Sequence, residues 1–102
     1  MKKILFITSS RADYGLLRNV ILETQKTNSE TYLLVTGSHL SIEFGNTIKE
    51  IRKDKIKKII RRKILDRKFK NSRISNYIAE TIRATSDVIK IKKPNVIVIL
   101  GD

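Results

Sequence analysis

The sequence contains no cysteine and no tryptophan, and only one proline, four glycines and one histidine among 102 residues. The absence of cysteine excludes a disulfide scaffold, a thiolate metal site and a cysteine nucleophile. No apolar run approaches the roughly 20 residues that span a bilayer. The apolar run after Met1, Lys2 and Lys3 covers four residues, too few for a signal peptide. These absences predict a cytoplasmic chain without membrane insertion that folds around one modest core.

Patterns that would indicate a cofactor or a metal are missing as well. The sequence contains neither the glycine-rich G-x-G-x-x-G pattern nor a Walker A pattern. His39 is the only histidine, and no second ligand follows it at metal-ligand spacing. We therefore predict no metal site and no cofactor.

Positive charge is abundant but unevenly distributed. The formal net charge is +12, and the window from Arg52 to Arg73 carries +10 of it, with Asp54 and Asp66 as its only acids. A solvated edge strand and loop would explain this window, because lysines on a sheet edge discourage aggregation. Alternatives are contact with nucleic-acid phosphates or with an acidic partner. Phe69 is the only aromatic residue in the window, so no stacking platform is available and we do not expect nucleic-acid binding.

Four short apolar runs predict β-strands at 4–7, 32–35, 56–60 and 96–100. Continuous, β-branched-rich runs are typical of strands that are buried on both faces of a parallel sheet, and the last run is expected to be central. The third run is interrupted by lysines, so we expect it at an edge. Helical spacing of apolar residues predicts helices after Asp13, from Thr47 to Lys53 and from Ser72 to Lys92.

The longest predicted helix carries one apolar stripe, and Pro94 ends it before the last strand. The stripe consists of Ile74, Ile78, Ile82, Thr85 and Ile89. Strands and helices then alternate along the whole chain. This alternation predicts an α/β fold with an open parallel sheet and right-handed crossovers.

In such sheets, ligands bind beyond the carboxyl ends of the strands. The loops there are 8–15, 36–41 and 101–102, and each is polar with a titratable residue. Arg11 precedes a helix amino terminus, where it would meet an anion or simply pair with Asp13. Asp13 is expected as the N-cap, as a catalytic carboxylate, or both.

The second loop offers one residue that titrates near neutral pH. His39 has an ordinary pKa near neutrality, which suits proton transfer, although a lone histidine is also common as a packed or solvated loop residue. Gly37 is expected to permit a sharp turn directly after the second strand. The three loops together mark one edge of the predicted sheet as the candidate site.

Three segments of the chain resemble a known family. Residues 11–17, Arg-Ala-Asp-Tyr-Gly-Leu-Leu, resemble the opening motif of the hydrolysing UDP-N-acetylglucosamine 2-epimerases. Residues 35–41, with 44–47 and 50–51, are similar to the second motif of that family. Residues 94–96 leading to 100–102 are similar to its third motif. The order and spacing also match, and the resemblance covers essentially the whole chain.

The resemblance implies a GT-B-type fold of which residues 1–102 form a truncated, Rossmann-like N-terminal half-domain, with the C-terminal nucleotide-binding domain absent. Members convert UDP-GlcNAc to ManNAc and UDP for sialic or related nonulosonic acids of surface polysaccharide. UDP leaves by anti elimination across C1–C2, and water then adds to the glycal. The implied partner is a UDP-sugar, and the full-length form is expected to be a homo-oligomer.

The resemblance also implies roles for individual residues. Asp13, Asp102 and His39 are expected to be catalytic, and which of them takes the C2 proton stays open. Arg11 is expected to contact the nucleotide diphosphate. The other implied nucleotide or substrate contacts are Ser10, Tyr14 and Gly37.

Departures from the family pattern set further expectations. Ser9 and Lys55 stand where the family commonly has glycine, and the Arg and acidic residue that follow Asp102 in the family are missing. We therefore expect a fragment with little or no activity alone, which exposes residues 96–100 and self-associates or is marginally stable. The rival interpretations are a non-hydrolysing relative and a non-catalytic basic module that binds nucleic acid or an acidic partner.

Overall fold

Strands and helices alternate along the chain, as the apolar patterns predict. The computed structural model describes residues 1–36, 48–62 and 73–100. Its elements in chain order are β1 (Lys2–Thr8), α1 (Arg11–Gln25), β2 (Ser29–Val35), α2 (Ile48–Lys53), β3 (Ile59–Arg61), α3 (Arg73–Lys92) and β4 (Val96–Val98). The third strand begins at Ile59 rather than Ile56, and the fourth ends at Val98 rather than Leu100. The second strand begins at Ser29 rather than Tyr32, the first helix begins at Arg11 rather than after Asp13, and the remaining boundaries lie within about two residues of their predicted positions.

The four strands form one parallel sheet in the order β3-β2-β1-β4. In the register of the central pair, Lys2 lies opposite Ser29 and Thr8 lies opposite Val35. This arrangement confirms the predicted α/β class and the edge position of β3. Within the described sheet β4 pairs with β1 alone, so it lies at the second edge rather than in the centre.

Helices cover both faces of the sheet. On one face α1 and α2 pack against alternate residues of β1 and β2, with Phe6 and Leu33 fully buried between them. On the other face Val88 of α3 packs against Leu5 and Leu34, which are equally buried. Because successive residues of a strand point to opposite faces, the two helical layers bury Leu5 and Phe6 in β1 and residues 31–35 in β2. Apolar burial of this kind supplies most of the stabilisation of the fold.

The predicted apolar stripe of the long helix is only partly buried. Val88 and Ile89 pack against the sheet, but Ile78 and Ile82 are 52% and 64% exposed. Within the stripe, Ile89 thus packs against the sheet, whereas Ile78 and Ile82 are largely exposed. A 20-residue helix spans about 30 Å, whereas a seven-residue strand spans about 23 Å, so the amino-terminal turns of α3 extend past the strands.

The two edges of the sheet differ in chemistry. Arg61 ends β3, and Arg62 and Lys57 flank this strand; all three are exposed. At the opposite edge Val96 and Ile97 of β4 are 45% and 44% exposed and carry no charge. The expected exposure of this apolar strand is confirmed. The prediction that it is buried on both faces is wrong, because no described element packs over its outer side.

The entry into β4 is fixed by a helix stop and by two hydrogen bonds. Lys93 has a left-handed φ of 50° and donates its N–H to the Ile89 carbonyl at 2.8 Å, which ends α3 before Pro94. Asn95 then donates its backbone N–H to the Lys3 carbonyl and accepts the Lys3 N–H on its side chain, both at 2.8 Å. This pair sets the register of β4 on β1.

Candidate functional site

The carboxyl edge of the sheet brings together the ends of β1, β2 and β3. Thr8 lies opposite Val35, and the Thr36 N–H donates to the Thr8 carbonyl at 3.0 Å. The Arg62 N–H donates to the Val35 carbonyl at 3.0 Å, so the ladder continues across the third strand. Of the predicted site residues, Ser10, Asp13 and Tyr14 lie near this edge. Gly37, His39 and Asp102 lie outside the described residues, as does the side chain of Arg11.

Asp13 accepts hydrogen bonds from the backbone and side-chain donors of the loop that follows β1. Its Oδ2 accepts the backbone N–H groups and the hydroxyls of Ser9 and Ser10, each at 3.1 Å. Its Oδ1 accepts the hydroxyl of Thr8, which is fully buried. Hydrogen bonds to a carboxylate are stronger than those between neutral groups. Asp13 therefore fixes the shape of residues 8–10.

Ser10, and not Asp13, is the N-cap of α1. Ser10 Oγ accepts the Asp13 N–H at 3.3 Å, while Asp13 accepts the Ser10 N–H, and together they form a capping box. The prediction that Asp13 caps the helix is wrong by three positions. The N–H groups of Arg11 and Ala12, the first two helical residues, are the ones that this box leaves unused. These two amides offer an anion the donors of a helix amino terminus.

Tyr14 is turned into the protein, away from the loop that Asp13 holds. Its ring is 5% exposed in the core beneath α1 and α2, and its hydroxyl donates to Asp54, the residue after α2. Asp54 also pairs with Arg18 at 2.9 Å. Burial and the neighbouring carboxylate raise the pKa of Tyr14 above its ordinary value. The hydrogen bond from Arg18 holds the pKa of Asp54 below its usual range. Tyr14 and Arg18 thus tie α1 to the end of α2.

Because of this network, the stability of the protein should depend on pH through the titration of Asp54. Because the folded pKa of Asp54 is lowered, its contribution is complete above the ordinary carboxyl pKa of about 4 and is lost as the pH falls through the folded value. Asp54→Asn should cost about 1 kcal/mol at pH 6, and the difference from the wild type should shrink towards pH 2.5. Urea unfolding at both pH values measures it. A constant difference would contradict this mechanism, and Glu23→Gln, in an exposed pair with Lys26, is the matched control.

A second polar cluster lies at the opposite end of β2. Glu30 accepts hydrogen bonds from Tyr32 at 2.5 Å and from Lys58 at 2.6 Å, which lower the pKa of Glu30 to about 2. The ammonium groups of Lys58 and Lys92 lie 5.1 and 5.2 Å from the centre of the Tyr32 ring. These contacts join β3 and the end of α3 to β2. They lie at the amino end of the sheet, away from the candidate site.

Two buried threonine hydroxyls, those of Thr31 and Thr36, have no hydrogen-bond partner in the part of the chain that the structure describes. Thr31 belongs to the first half of β2, whereas Thr36 lies at the carboxyl edge. Sequence reasoning did not single out Thr8, Thr36 or Asp54. Thr8 and Thr36 had a signal, because each directly follows an apolar run at the edge where ligands bind.

The described ranges contain no group of three or more side chains that would hold a metal ion. Among the helices that the structure defines, none is long and apolar enough to cross a membrane. The chemistry available at the described edge is therefore that of hydroxyls, backbone amides, one carboxylate and guanidinium groups.

Comparison with known proteins gives consistent relatives, although no family model matches the chain. The chain is 32% identical over its full length to a hydrolysing UDP-N,N'-diacetylbacillosamine 2-epimerase of Legionella pneumophila and spans 27% of it. Over 99% of its length it is 38% identical to a hydrolysing GDP/UDP-N,N'-diacetylbacillosamine 2-epimerase of Campylobacter jejuni, of which it spans 26%. The chain thus spans about a quarter of the curated relatives it matches.

A solved structure shows the same fold. The UDP-GlcNAc 2-epimerase of Methanocaldococcus jannaschii superposes with a TM-score of 0.70 over 98% of this chain and 25% of that one, at 21% sequence identity. The parallel sheet and its helices therefore belong to a GT-B-type fold. Motifs, full-length similarity and fold agree, and the match to a quarter of each relative fits an N-terminal portion. Over its full length the chain is thus similar to an N-terminal portion of the UDP-sugar 2-epimerases.

Proposed function

We propose that residues 1–102 form the N-terminal portion of an enzyme that hydrolyses a UDP-linked 2-acetamido sugar with inversion at C2. UDP-GlcNAc, giving ManNAc and UDP, is the substrate implied by the resemblance, and a UDP-linked diacetamido sugar is the alternative favoured by the relatives' names. The observation that carries the proposal is the capped loop of residues 8–13. It presents the free amides of a helix amino terminus at the sheet edge where this fold binds ligands.

The proposed reaction has two balanced steps. In the first, a base removes the proton from C2 while the C1–O bond to UDP breaks, which leaves a C1–C2 double bond. In the second, water supplies a hydroxyl to C1 and a proton reaches C2 from the opposite face. The chemistry requires a proton carrier, charge stabilisation at the leaving diphosphate and exclusion of bulk water. Asp13, Asp102 and His39 are the proposed proton carriers, and Arg11 is proposed to contact the diphosphate.

The surroundings of Asp13 restrict how it can act. Its Oδ2 already accepts four hydrogen bonds and its Oδ1 accepts one, so most of its acceptor capacity is used within residues 8–10. Ser10 is likewise occupied by the capping box, and Tyr14 by Asp54. We infer that Ser10 and Tyr14 serve substrate binding mainly by holding the loop and helix in place, with the amides of Arg11 and Ala12 as the direct contacts.

The decisive test is a chimera in which residues 1–102 replace the matching segment of the Campylobacter jejuni relative. We expect the folded chimera to release UDP together with a free 2-epimerised sugar from UDP-GlcNAc or a UDP-linked diacetamido sugar. The isolated chain should release neither product, because it spans only about a quarter of the relatives it matches. A folded chimera that is silent with both sugars, beside an active unmodified relative, would contradict the proposal. Formation of an intact UDP-linked epimer would instead identify a non-hydrolysing enzyme.

The role in sialic or nonulosonic acid synthesis for surface polysaccharide, a cytoplasmic location, and a homo-oligomeric full-length form are part of the same proposal. They follow from the family resemblance and depend on the activity. The chimera's product decides between an enzyme and a binding module without catalysis, because a binding module would bind the ligand but release no product.

A further inference from the structure

The most informative feature outside the capped loop is the junction of β2 and β3 at the carboxyl edge. The Arg62 N–H bonds to the Val35 carbonyl and the Thr36 N–H bonds to the Thr8 carbonyl, so Thr36 and Arg62 extend their strands as neighbours. Leu34 and Ile60 pack on the α3 face of the sheet. Because residues two apart on a strand share a face, Thr36 and Arg62 lie on that same face, directly above them.

Within the described residues, the Thr36 hydroxyl has no hydrogen-bond partner and the Arg62 guanidinium has no carboxylate partner. Thr36 is fully buried, and within residues 1–36, 48–62 and 73–100 its hydroxyl has no hydrogen-bond partner. Such a group costs free energy unless something binds it. The Arg62 guanidinium is exposed and makes one long hydrogen bond, at 3.3 Å, to the preceding carbonyl of Arg61. No carboxylate in the described part of the chain pairs with Arg61 or Arg62.

We propose that Thr36 and Arg62 form a second anion-binding subsite, which takes a phosphoryl group of the nucleotide-sugar. The subsite lies at the carboxyl edge on the α3 face of the sheet, whereas α1, which begins with the amides of Arg11 and Ala12, packs on the other face and begins at the same edge. A planar guanidinium donates to two phosphoryl oxygens at once, and the threonine hydroxyl adds a third donor. The inference rests on the proposed function for the identity of the ligand and assigns it residues of the basic window.

The simpler interpretation of Arg62 is a solvated cation on a protected sheet edge. It accounts for the charge but not for the buried hydroxyl beside it. Lys57, at the other end of the β3 segment, is also exposed. The β2–β3 register carries it opposite Thr31, whose hydroxyl is likewise buried without a partner among the described residues, but at the amino end of the sheet rather than at the carboxyl edge. Lys57 therefore provides a matched control with the same charge beside β3.

The test is a titration of the 102-residue chain with inorganic pyrophosphate, followed by the amide NMR signals of Thr36 and Arg62. We expect saturable shifts below about 10 mM, at least fivefold weaker binding for Arg62→Gln, and less than twofold change for Lys57→Gln. UDP should produce the same shifts, whereas free GlcNAc should not. Equal losses in the two variants, or no saturable shift in the wild type, would overturn the subsite.

Thr36→Val separates binding from folding. Removing a hydroxyl without a partner should leave the urea midpoint unchanged or higher, and should still weaken pyrophosphate binding. A lowered midpoint would mean that the hydroxyl is already satisfied, which would also overturn the subsite. Failure of the proposed function is seen separately. If the chimera is inactive but pyrophosphate binding is normal, the subsite is still supported. If the chimera is active and Arg62→Gln does not change its activity, the subsite is contradicted.

Discussion

Phe6→Ala should remove a large part of the stability of the isolated chain. Phe6 is 1% exposed, and it lies in the central strand β1, where it packs against the α1 and α2 layer. Truncation of a buried phenylalanine costs about 3–5 kcal/mol, because the lost apolar contacts add to the cavity left behind. Domains of this size are stable by only about 5–15 kcal/mol, and this one has an apolar edge strand in contact with water.

Urea unfolding followed by far-UV circular dichroism measures this change. Leu16→Ala is the matched control, since Leu16 is 69% exposed on α1 and its truncation should alter stability by no more than about 0.5 kcal/mol. Similar losses for the two variants would mean that the core lies elsewhere. A normal midpoint for Phe6→Ala would contradict the packing of α1 on the sheet.

A pair of substitutions at Asp13 should separate its structural role from its proposed catalytic role. Asp13→Ala removes the acceptor of five hydrogen bonds, one of them from the buried Thr8 hydroxyl, so a loss of about 2–4 kcal/mol is expected. Asp13→Asn keeps one acceptor for Ser9 and Ser10 and can donate to Thr8. Its stability should therefore stay within about 1 kcal/mol of the wild type.

In the chimera, Asp13→Asn should reduce activity far more than it reduces stability. An asparagine holds the loop but cannot carry a proton, so Asp13→Asn should lower product release by at least about 100-fold, a typical contribution of general acid–base catalysis. Activity within tenfold of the wild type would show that Asp13 only positions the loop. Glu23→Gln, on an exposed turn of the same helix, should leave both stability and product release unchanged.

The order of elements and the parallel sheet follow from the sequence because their signals are local. The apolar runs at 4–7 and 32–35 predict strands covered on both sides. The run at 32–35 is buried throughout, whereas in the run at 4–7 Leu5 and Phe6 are buried and the two flanking isoleucines are half-buried. The last run has the same composition, but its burial depends on what packs beside it. Composition predicts that a strand forms, whereas its neighbours decide how much of it meets water.

The predicted N-cap is the wrong residue, although the sequence carries the signal for the correct one. Ser10 and Asp13 stand three residues apart in front of an apolar helix, which is the pattern of a capping box. Attention to the acidic residue alone placed the helix start too late. The same pattern explains why Asp13 is bound to backbone amides before any ligand arrives.

Other features lay beyond a local reading. The Tyr14–Asp54 hydrogen bond joins residues that are 40 positions apart, and no local sequence pattern predicts that they are partners. In α3, the spacing of Ile78 and Ile82 identifies a stripe correctly but does not reveal where the sheet stops beneath it. Contacts between distant segments and the lengths of neighbouring elements are properties of the folded chain.

The two edges of the sheet differ in how readily they can accept an additional strand. An additional strand at the β3 edge would have to lie against Arg61 and its basic neighbours, and a second copy would bring the same charges with it. An additional strand at the β4 edge would meet only aliphatic side chains. Strand addition, whether from further polypeptide or from another molecule, is therefore favoured on one side and opposed on the other.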